Sequence, residues 1–462
     1  MSERRSCDVA IVGAGLSGLL AARLLDRDGI DVLVLEAQDR VGGRTLTAHL
    51  DDSAFIDDGG QWVSPNRGRI DALASELNVE LFPSWAQGKM VLIRNGTRHV
   101  SDGLFLPEDG HAAGEATAAA EDLATMAESV SVDAPWSAEH AREWDAQRLH
   151  DWLAESVVSE RARIALATAI EGVFARNATA TSLLAALYWV RCGDPLVPFT
   201  AGEDPGPERR FVGGAQQLSE LMARALGDRI LLGRTVHELE QIGDRVRVRA
   251  AGLTVEARRA IVSLAPALAG RLRYVPPPSA ARDHLCQRTP MRWLTKVHCL
   301  YQERFWTDEG LSGAAAADDG LLRTTADNSP PSGTPGILVG FIEETEALAV
   351  ANSDPAERRA AVCRELARFF GERAAEPDVY REKNWGEDPY CRGADGGYWS
   401  PRVWTTYGHA IREPHGVVHW AGTRPRHSGT ERWRERFSPA SALRPRCSSA
   451  SASVGLDEHD RA

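Results

Sequence analysis

Three glycines near the N-terminus have the spacing of a loop that binds a dinucleotide. Gly13, Gly15 and Gly18 follow an apolar segment, 8–12, and open a segment with helical spacing, 16–25. In such a loop the first glycine permits a tight turn, the second lets a pyrophosphate approach the backbone, and the third lets the helix pack on the strand. The N–H groups at the start of the helix favour negative charge. The residues expected to contact the diphosphate are Gly13, Ala14, Gly15, Leu16, Ser17 and Gly18.

An acidic residue follows at the place where such a site contacts the adenosine. Segment 31–35 is a second apolar run of strand type, and it ends at Glu36. A carboxylate at this point can accept hydrogen bonds from the ribose hydroxyls. An ordinary glycine-rich turn is the alternative, and the complete strand–helix–strand unit argues against it. These features alone do not distinguish NAD from FAD.

A second glycine-rich segment continues directly from this strand. Gly42 and Gly43 permit a close turn, Arg44 can pair with a diphosphate, and 58–62 follows with the sequence DGGQW. On these residues the chain resembles the flavin monoamine oxidase family, which includes polyamine oxidases and L-amino-acid oxidases. The resemblance extends over 7–423 and is densest in the first 70 residues, in 208–277 and in 383–423.

The resemblance implies that the cofactor is FAD, bound without a covalent link. Ala394 stands in the column of the cysteine that links the flavin in animal monoamine oxidases, and Cys391 precedes it in the same loop. Gln38 stands where the family usually has arginine, which weakens one adenosine contact. For Trp62 and Val236 plain core packing is the alternative role. Besides the first glycine loop, the implied FAD contacts are Glu36, Ala37, Gly43, Arg44, Gly60, Gln61, Trp62, Val236, Trp385, Gly422 and Thr423.

Three residues occupy the implied catalytic positions. In this family the lysine at the position of Lys296 holds a water near the flavin N5 atom, and its alternative role is to reach solvent. On a strand with apolar neighbours its side chain would point inward, where burial without a role is costly. Asp395 replaces the first tyrosine of the family's aromatic cage, so Tyr398 and Trp399 are the candidates to serve instead. Core packing is their alternative role. Arg292 stands where the family usually has glycine.

The last residues depart from the family pattern. After 419–423 the family continues with a glycine-punctuated helix at the flavin, whereas 424–462 is rich in arginine and serine with little apolar periodicity. This composition predicts a disordered tail. A frameshift is the second hypothesis, because restoring one guanine after the Thr423 codon allows 424–452 to be read as ETATQWNGAMEGAVLAGERAAAEVLERLG, an amphipathic helix of the family type. If the tail is genuine, weak FAD binding or an inactive protein is expected.

The expected fold is α/β, with a Rossmann-like FAD-binding domain interleaved with an α+β substrate domain. A chain of 462 residues is too long for one compact core. In the substrate domain, alanine-rich segments predict helices at 112–129 and 161–173, and strands are predicted at 294–301 and 337–343. The FAD-binding domain is assigned to 5–81, 208–284 and 388–423, the substrate domain to 82–207 and 285–387, and 424–462 to the tail.

The composition excludes several classes of protein. Lys and Arg number 53 against 65 Asp and Glu, and the net charge of −12 disfavours nucleic acid and anionic lipid as partners. The seven cysteines are scattered and form no Cys-x-x-Cys pair, which argues against a disulfide framework or a zinc site and for a reducing compartment. No apolar segment is long enough to span a membrane, and the N-terminus has no signal-peptide core, so a cytoplasmic protein is expected.

The function implied by the resemblance is FAD-dependent oxidative deamination of a primary or secondary amine. A hydride equivalent passes from the amine α-carbon to the flavin N5 atom, the imine hydrolyses to an aldehyde, and dioxygen is reduced to hydrogen peroxide. The implied partners are therefore a small amine and dioxygen; no metal is needed, and a homodimer stays open. The alternatives are an L-amino-acid or polyamine oxidase, a desaturase, or an inactive remnant without the C-terminal flavin helix.

Overall fold

Strands and helices alternate along the part of the chain that the computed structural model describes, which comprises residues 3–50, 54–63, 68–101, 110–174, 178–192 and 208–422. The strands in chain order are β1 (Glu3–Val12), β2 (Val32–Leu35), β3 (Thr47–His49), β4 (Phe55–Asp57), β5 (Leu81–Pro83), β6 (Lys89–Arg94), β7 (Thr97–Ser101), β8 (Arg209–Phe211), β9 (Ile230–Leu231), β10 (Val236–Ile242), β11 (Arg245–Ala250), β12 (Leu253–Val262), β13 (Arg273–Val275), β14 (Met291–Arg292), β15 (Leu294–Tyr301), β16 (Leu311–Ala317), β17 (Thr324–Asp327), β18 (Gly336–Glu343), β19 (Val379–Asn384), β20 (Ala394–Gly397) and β21 (Val418–Trp420). The helices are α1 (Leu16–Arg27), α2 (Gly68–Glu76), α3 (Gly110–Glu128), α4 (Ala141–Ala146), α5 (Leu149–Ser156), α6 (Glu160–Phe174), α7 (Leu183–Arg191), α8 (Gln217–Leu226), α9 (Pro266–Ala269), α10 (Ala280–Gln287), α11 (Glu344–Val350), α12 (Pro355–Phe370) and α13 (Val403–Tyr407).

The first sheet contains the N-terminal unit. Within the described residues it has eight strands, in the order β13-β10-β11-β12-β1-β2-β9 with β21 paired to β12. β1 lies parallel to β2 and to β12, and β21 lies parallel to β12. Ile11, Val34 and Ile261 are fully buried in the strands, as expected for apolar runs in a parallel sheet that is covered on both faces. The predicted strand–helix–strand opening is confirmed.

β1 is longer than the apolar run at 8–12 that predicted it, and its partner β12 is equally long. β1 begins at Glu3, and β12 begins at Leu253, so that the two strands pair in parallel from their first residues onward. The first four residues of β1 are exposed, and β12 alternates between buried and less buried residues over its first half. Because the first residues of these strands include solvent-exposed polar side chains, a prediction based on continuous apolar runs did not include them.

Helix α1 is held between the sheet and helix α8. Leu19, Ala22 and Leu25 of α1 are buried with Met222 and Leu226 of α8 in one apolar cluster. Full burial of a leucine side chain stabilises a fold by about 1.5–3 kcal/mol relative to exposure. This packing fixes the helix, so that its N-terminal end stays at the glycine loop.

The second sheet positions the central lysine. Its seven strands, within the described part of the chain, have the order β19-β15-β18-β17-β16-β6-β7. Every residue of β15 is buried. Val297 and Cys299 pack in the apolar cluster beneath helix α12, and because side chains alternate along a strand, Lys296 and His298 face the opposite side.

The predicted alanine-rich insertion is helical. The helices expected at 112–129 and 161–173 correspond to α3 and α6, and both pack in one apolar cluster with α5 and α7. The predicted return from this insertion to the first sheet, at 204–207, lies outside the described residues. Among the described helices, none combines the length and apolar character that crossing a bilayer requires.

Strands from distant parts of the chain build each sheet. The first sheet takes its strands from 3–12, 32–35, 230–275 and 418–420, and the second from 89–101, 294–343 and 379–384. Small sheets of two strands, β14-β20, β3-β4 and β5-β8, lie outside these two. A discontinuous pair of domains is consistent with this arrangement, and the domain boundaries themselves stay a prediction.

Candidate active site

Two glycines of the first loop have no room for a side chain. Gly13 has a positive φ of 99°, which L-residues rarely adopt. A Cβ atom on Gly13 would lie 3.2 Å from the Ser263 carbonyl oxygen, and one on Gly18 would overlap the Gly13 carbonyl oxygen. The loop therefore needs glycine at both positions for the tight turn and for the close packing of α1.

Gly15, by contrast, faces open space. A Cβ atom on Gly15 would meet only the Gly42 carbonyl oxygen at 3.9 Å and the Gly43 Cα atom at 4.0 Å. Gly15 is also the N-terminal cap of α1, and no side chain caps this helix end. Because uncapped N–H groups at a helix start attract anions, this cradle fits the diphosphate of FAD.

Glu36 is buried and holds the loop together. Its Oε2 atom accepts a hydrogen bond from the Ala14 N–H at 2.6 Å, and its Oε1 atom accepts one from the Gln38 N–H at 2.9 Å. Ala37 lies between Glu36 and Gln38 in the chain. Each carboxylate oxygen has a further lone pair, so the expected contact with the ribose hydroxyls stays a prediction.

Arg40 organises the second glycine turn, and sequence reasoning missed it. Its guanidinium donates to the carbonyl oxygens of Val41 and Thr45 at 3.2 Å and to that of Gly43 at 2.9 Å. The turn brings Gly42 beside Gly15 in a parallel bridge. An arginine followed by two glycines was the available signal, because such a turn exposes carbonyl groups that need donors. The half-buried Arg44 follows this turn, and its predicted contact with the diphosphate stays a prediction.

Lys296 is buried rather than extended into solvent, so the alternative of a solvent-reaching lysine is wrong. The exposed fraction of this residue is 2%. Its Nζ atom donates hydrogen bonds to the Asp57 carbonyl oxygen at 2.6 Å, the Gly59 carbonyl oxygen at 2.9 Å and Gln61 Oε1 at 2.7 Å. Lysine is ordinarily protonated near neutral pH, and the three protons of its ammonium match these three oxygen atoms. Its role in holding a water stays a prediction.

The structure brings the predicted segment 60–62 to this lysine. The Lys296 Nζ atom lies 5.1 Å from the centroid of the Trp62 ring, and Trp62 lies 5.9 Å from the Phe341 ring. A Cβ atom on Gly60 would meet nothing within 4 Å. Trp385 is buried and donates from Nε1 to the Asp58 carbonyl oxygen at 2.8 Å. This part of the site therefore combines a half-buried aromatic ring, a buried cation and a glycine with free space in front of it. The combination fits the flavin part of FAD.

A buried polar network extends from Lys296, and sequence reasoning missed most of it. The Gln61 Nε2 atom donates to Asn328 Oδ1 at 2.6 Å, and Asn328 Nδ2 lies 3.4 Å from His298 Nδ1. Burial, together with Lys296 and two nearby arginines, lowers the pKa of His298 well below its usual range, so the ring is neutral. The available signal was the spacing of Lys296 and His298, two residues apart on one predicted strand.

The network is anchored at both ends. The buried carboxylate of Asp58 accepts hydrogen bonds from Arg381 Nε at 3.0 Å to each of its oxygens. Arg210 is fully buried and donates from Nη1 to the carbonyl oxygens of Asn328 at 2.9 Å and Ser329 at 3.1 Å. The first contact ties the loop after β4 to β19, and the second ties the loop before β18 to β8.

Tyr398 and Trp399 have contacts that differ from each other. The Tyr398 hydroxyl donates to the Glu344 carboxylate. Trp399 stacks on Trp404 with ring centroids 3.7 Å apart and lies in the apolar cluster of the helical insertion. Core packing thus accounts for the Trp399 ring, and the cage role of both residues stays a prediction.

The remaining predicted positions have simpler surroundings. Val236 is buried at the start of β10, which forms a hairpin with β11. Arg292 is buried and forms an ion pair with Glu343. Gly422 is exposed, with only the Leu264 carbonyl oxygen near its Cβ position, at 3.9 Å. Thr423 and the tail at 424–462 lie outside the described residues.

The thiol of Cys391 is withdrawn from solvent. Its residue is 5% exposed, and burial raises the pKa of the thiol to about 12. The described residues contain no group of three or more His, Cys, Asp or Glu side chains placed to hold a metal ion.

Comparison with known proteins gives a consistent result. The sequence model of flavin-containing amine oxidoreductases matches residues 16–430. An L-amino acid dehydrogenase of Synechocystis sp. is 34% identical over 470 residues, which cover 99% of this chain and 96% of that protein. The flavin-containing amine oxidase of Danio rerio is 34% identical over 426 residues, which cover 90% of this chain and 81% of that protein.

Solved structures of amine oxidases share the fold. Putrescine oxidase bound to putrescine superposes with a TM-score of 0.85 at 31% identity, covering 95% of this chain and 99% of that one. Cyclohexylamine oxidase from Brevibacterium oxydans superposes with a TM-score of 0.83 at 30% identity, covering 91% and 93%. The predicted α/β fold with an FAD-binding domain of the amine oxidase type is confirmed, and so is FAD as the cofactor.

Proposed function

Since the chain belongs to the family of flavin-containing amine oxidoreductases, we propose that it oxidises a primary or secondary amine to an imine, which hydrolyses to an aldehyde, with dioxygen as the electron acceptor and hydrogen peroxide as the second product. The observation that carries this proposal is the buried ammonium of Lys296 beside Trp62. The site contains this cation where the family's flavin is expected, and no other charge-bearing group is needed for the reaction.

The residues of this chain would hold and orient the reactants. When bound, FAD supplies the acceptor for a hydride equivalent from the amine α-carbon. The Gly15 cradle and the start of α1 would hold its diphosphate, with Arg44 as a charged partner. Trp62 and Phe341 would exclude water from the reacting atoms.

Lys296 has a second role, in the reduction of dioxygen. Reduction of dioxygen places negative charge on it, and a fixed cation in a site shielded from water stabilises such charge. The ammonium is already held by three oxygen atoms, so it needs no rearrangement to act. This supports an oxidase over an enzyme that passes its electrons to another protein.

Non-covalent FAD is part of the proposal. Ala394 has no atom that could form a thioether, and the nearby Cys391 is buried with a protonated thiol. A homodimer stays open, and a cytoplasmic location stays an expectation.

An amine panel tests the proposed function. Purified protein reconstituted with FAD would be mixed anaerobically with primary, secondary, di- and polyamines, and bleaching of the flavin followed by peroxide release on admission of oxygen would be measured. Bleaching without peroxide would remove the oxidase assignment and keep the amine chemistry. An FAD-loaded protein that no amine bleaches would overturn the proposal.

An L-amino acid is the second candidate substrate. It is favoured by the L-amino acid dehydrogenase of Synechocystis sp., which aligns over 99% of this chain. The same experiment with L-amino acids, once with oxygen and once with an artificial electron acceptor, distinguishes the candidates. Turnover of amino acids but not of simple amines, and only with the artificial acceptor, would replace the first proposal by the second.

A further inference from the structure

The orientation of every side chain in the network next to Lys296 follows from the lysine. An ammonium can only donate, so the Gln61 atom at 2.7 Å from it must be the carbonyl oxygen. The amide nitrogen of Gln61 then faces Asn328, whose atom at 2.6 Å must be its carbonyl oxygen. The Asn328 nitrogen is thereby turned towards His298 Nδ1, at 3.4 Å.

This sequence of donors fixes the tautomer of His298. Because Asn328 donates to Nδ1, that nitrogen must be the acceptor, and the ring proton is on Nε2. The Nε2 atom of His298 lies 4.0 Å from Asp58 Oδ1, at the end of the network. All members are withdrawn from water, since Gln61 and Lys296 are at most 4% exposed and His298, Asn328 and Asp58 are 0% exposed.

We propose that His298 is a positioning residue for Lys296, which acts through Asn328 and Gln61. By accepting at Nδ1 it keeps the Asn328 amide in one orientation, which keeps the Gln61 carbonyl oxygen directed at the ammonium. Without this acceptor the buried Asn328 NH2 group loses a partner, and this cost opposes the orientation that Lys296 imposes on the two amides. When both amides flip, Gln61 presents its NH2 group to a cation that needs an oxygen. The ammonium then loses one of three acceptors and its fixed place beside Trp62.

The composition of the chain makes this inference measurable. Its lysines are Lys89, Lys296 and Lys383. Lys89 is exposed, whereas Lys383, opposite Lys296 in the β15–β19 pair, forms its own ion pair with Asp388 at 2.9 Å. Protein labelled with 15N at the lysine Nζ atoms therefore gives few ammonium signals, and slow hydrogen exchange distinguishes the buried Lys296. The Lys296→Met variant assigns its signal.

A matched pair of variants tests the role of His298. His298→Asn places an oxygen acceptor where Nδ1 lies, whereas His298→Leu has similar bulk and no acceptor. We expect the Lys296 ammonium signal to persist in the asparagine variant and to shift or exchange away in the leucine variant, while the Lys383 signal is unchanged in both. Asn328→Leu, which removes the middle amide, should reproduce the loss and serves if His298→Leu does not fold.

The effect on chemistry rests on the proposed function and is measured separately. In FAD-loaded protein whose flavin has been reduced, the rate of reoxidation by dioxygen should fall at least tenfold in His298→Leu and stay within twofold in His298→Asn. The signals of the lysines are recorded without substrate, so they judge the positioning role even if no amine is oxidised. An unaltered Lys296 signal in folded His298→Leu or Asn328→Leu protein would overturn the inference.

Discussion

At the scale of single residues, the burial of Lys296 depends on specific partners. Lysine is almost never fully buried without partners, because its ammonium loses hydration. Two backbone carbonyl oxygens and the Gln61 side chain replace that hydration here. A compact cation suits this place better than the planar guanidinium of arginine, which needs a wider set of acceptors.

Replacement of this cation should affect the reaction with oxygen most. In Lys296→Met we expect FAD to be retained and the second-order rate of reoxidation of the reduced flavin by dioxygen to fall by about 10²-fold, the effect typical for removal of one fixed group that stabilises developing charge. Rapid mixing of reduced protein with oxygenated buffer measures this rate. Lys89→Met, at an exposed lysine, is the control, and equal rates in the two variants would contradict the role assigned to Lys296.

The glycine loop allows a second prediction from a matched pair. Gly18→Ala places a methyl group against the Gly13 carbonyl oxygen, whereas Gly15→Ala places it in open space. We expect Gly18→Ala to destabilise the cofactor-free protein by about 2–3 kcal/mol, as overpacking typically does. Gly15→Ala should change that stability by less than about 1 kcal/mol and weaken FAD binding at least tenfold.

Thermal unfolding without cofactor and FAD titration separate these two effects. Equal loss of stability in both variants would show that the space in front of Gly15 is needed by the protein itself. Unchanged FAD affinity in Gly15→Ala would show that the diphosphate lies elsewhere.

At the scale of elements, the buried Asp145 of α4 ties this helix to α13. Its Oδ2 atom accepts from the N–H and from the hydroxyl of Thr405, both at 2.8 Å, and its carbonyl oxygen accepts from the Arg402 N–H at 2.7 Å. Arg402 precedes α13 with a left-handed φ of 68° and offers no side-chain cap. A carboxylate from another helix therefore satisfies the donors at the start of α13.

This contact predicts a pH dependence of stability. Burial raises the pKa of Asp145 above its ordinary value, so the folded state binds its proton more tightly than the unfolded chain. The wild type should therefore lose stability relative to Asp145→Asn as pH rises from the unfolded value of about 3.9 through the raised value. For one proton the slope is at most about 1.4 kcal/mol per pH unit.

Urea unfolding of both proteins between pH 4 and 8 measures the difference. Asparagine can keep the acceptor for Thr405, so only the pH-dependent part of the difference is interpreted. A difference that is constant over this range would show that Asp145 stays ionised in both states.

At the scale of the whole molecule, the candidate site joins the two large sheets. Lys296 belongs to the second sheet, whereas Gly59 and Gln61 follow β4 and the Gly15 cradle belongs to the first sheet. Arg381 of β19 and Trp385, which follows that strand, both donate hydrogen bonds to Asp58 in the loop after β4. These contacts tie the loop after β4 to the second sheet.

The absorption spectrum of the purified chain tests the whole-molecule assignment. We expect flavin bands that pass entirely into the supernatant on acid precipitation, because no cysteine stands in the linking column. A matched chain in which 424–452 is replaced by the recoded helix tests the frameshift hypothesis.

Stronger FAD retention in the recoded chain would support the frameshift, and equal retention in both chains would contradict it. Flavin that stays with the precipitate would contradict the non-covalent assignment. Sequencing of the source gene decides independently whether the tail is encoded.

The sequence by itself determined the fold class from its local patterns, and the cofactor and the central lysine through its resemblance to the family. Buried parallel strands appear as continuous apolar runs, and the glycines of the first loop are required by backbone geometry, as the positive φ of Gly13 shows. These are local constraints, and they leave local patterns. The family motif at 58–62 and the strand with Lys296 could be found in the same way.

Only the tertiary structure decided what surrounds these residues. Arg40 donates to the carbonyl groups of a turn, His298 lies beside Asn328, and Trp399 is stacked on Trp404 in a helical core. Contacts between side chains far apart in sequence depend on the register of the strands and on how the two sheets meet. A single sequence contains no local pattern for these, because long-range packing and burial, not neighbouring residues, set the partners of each buried polar group.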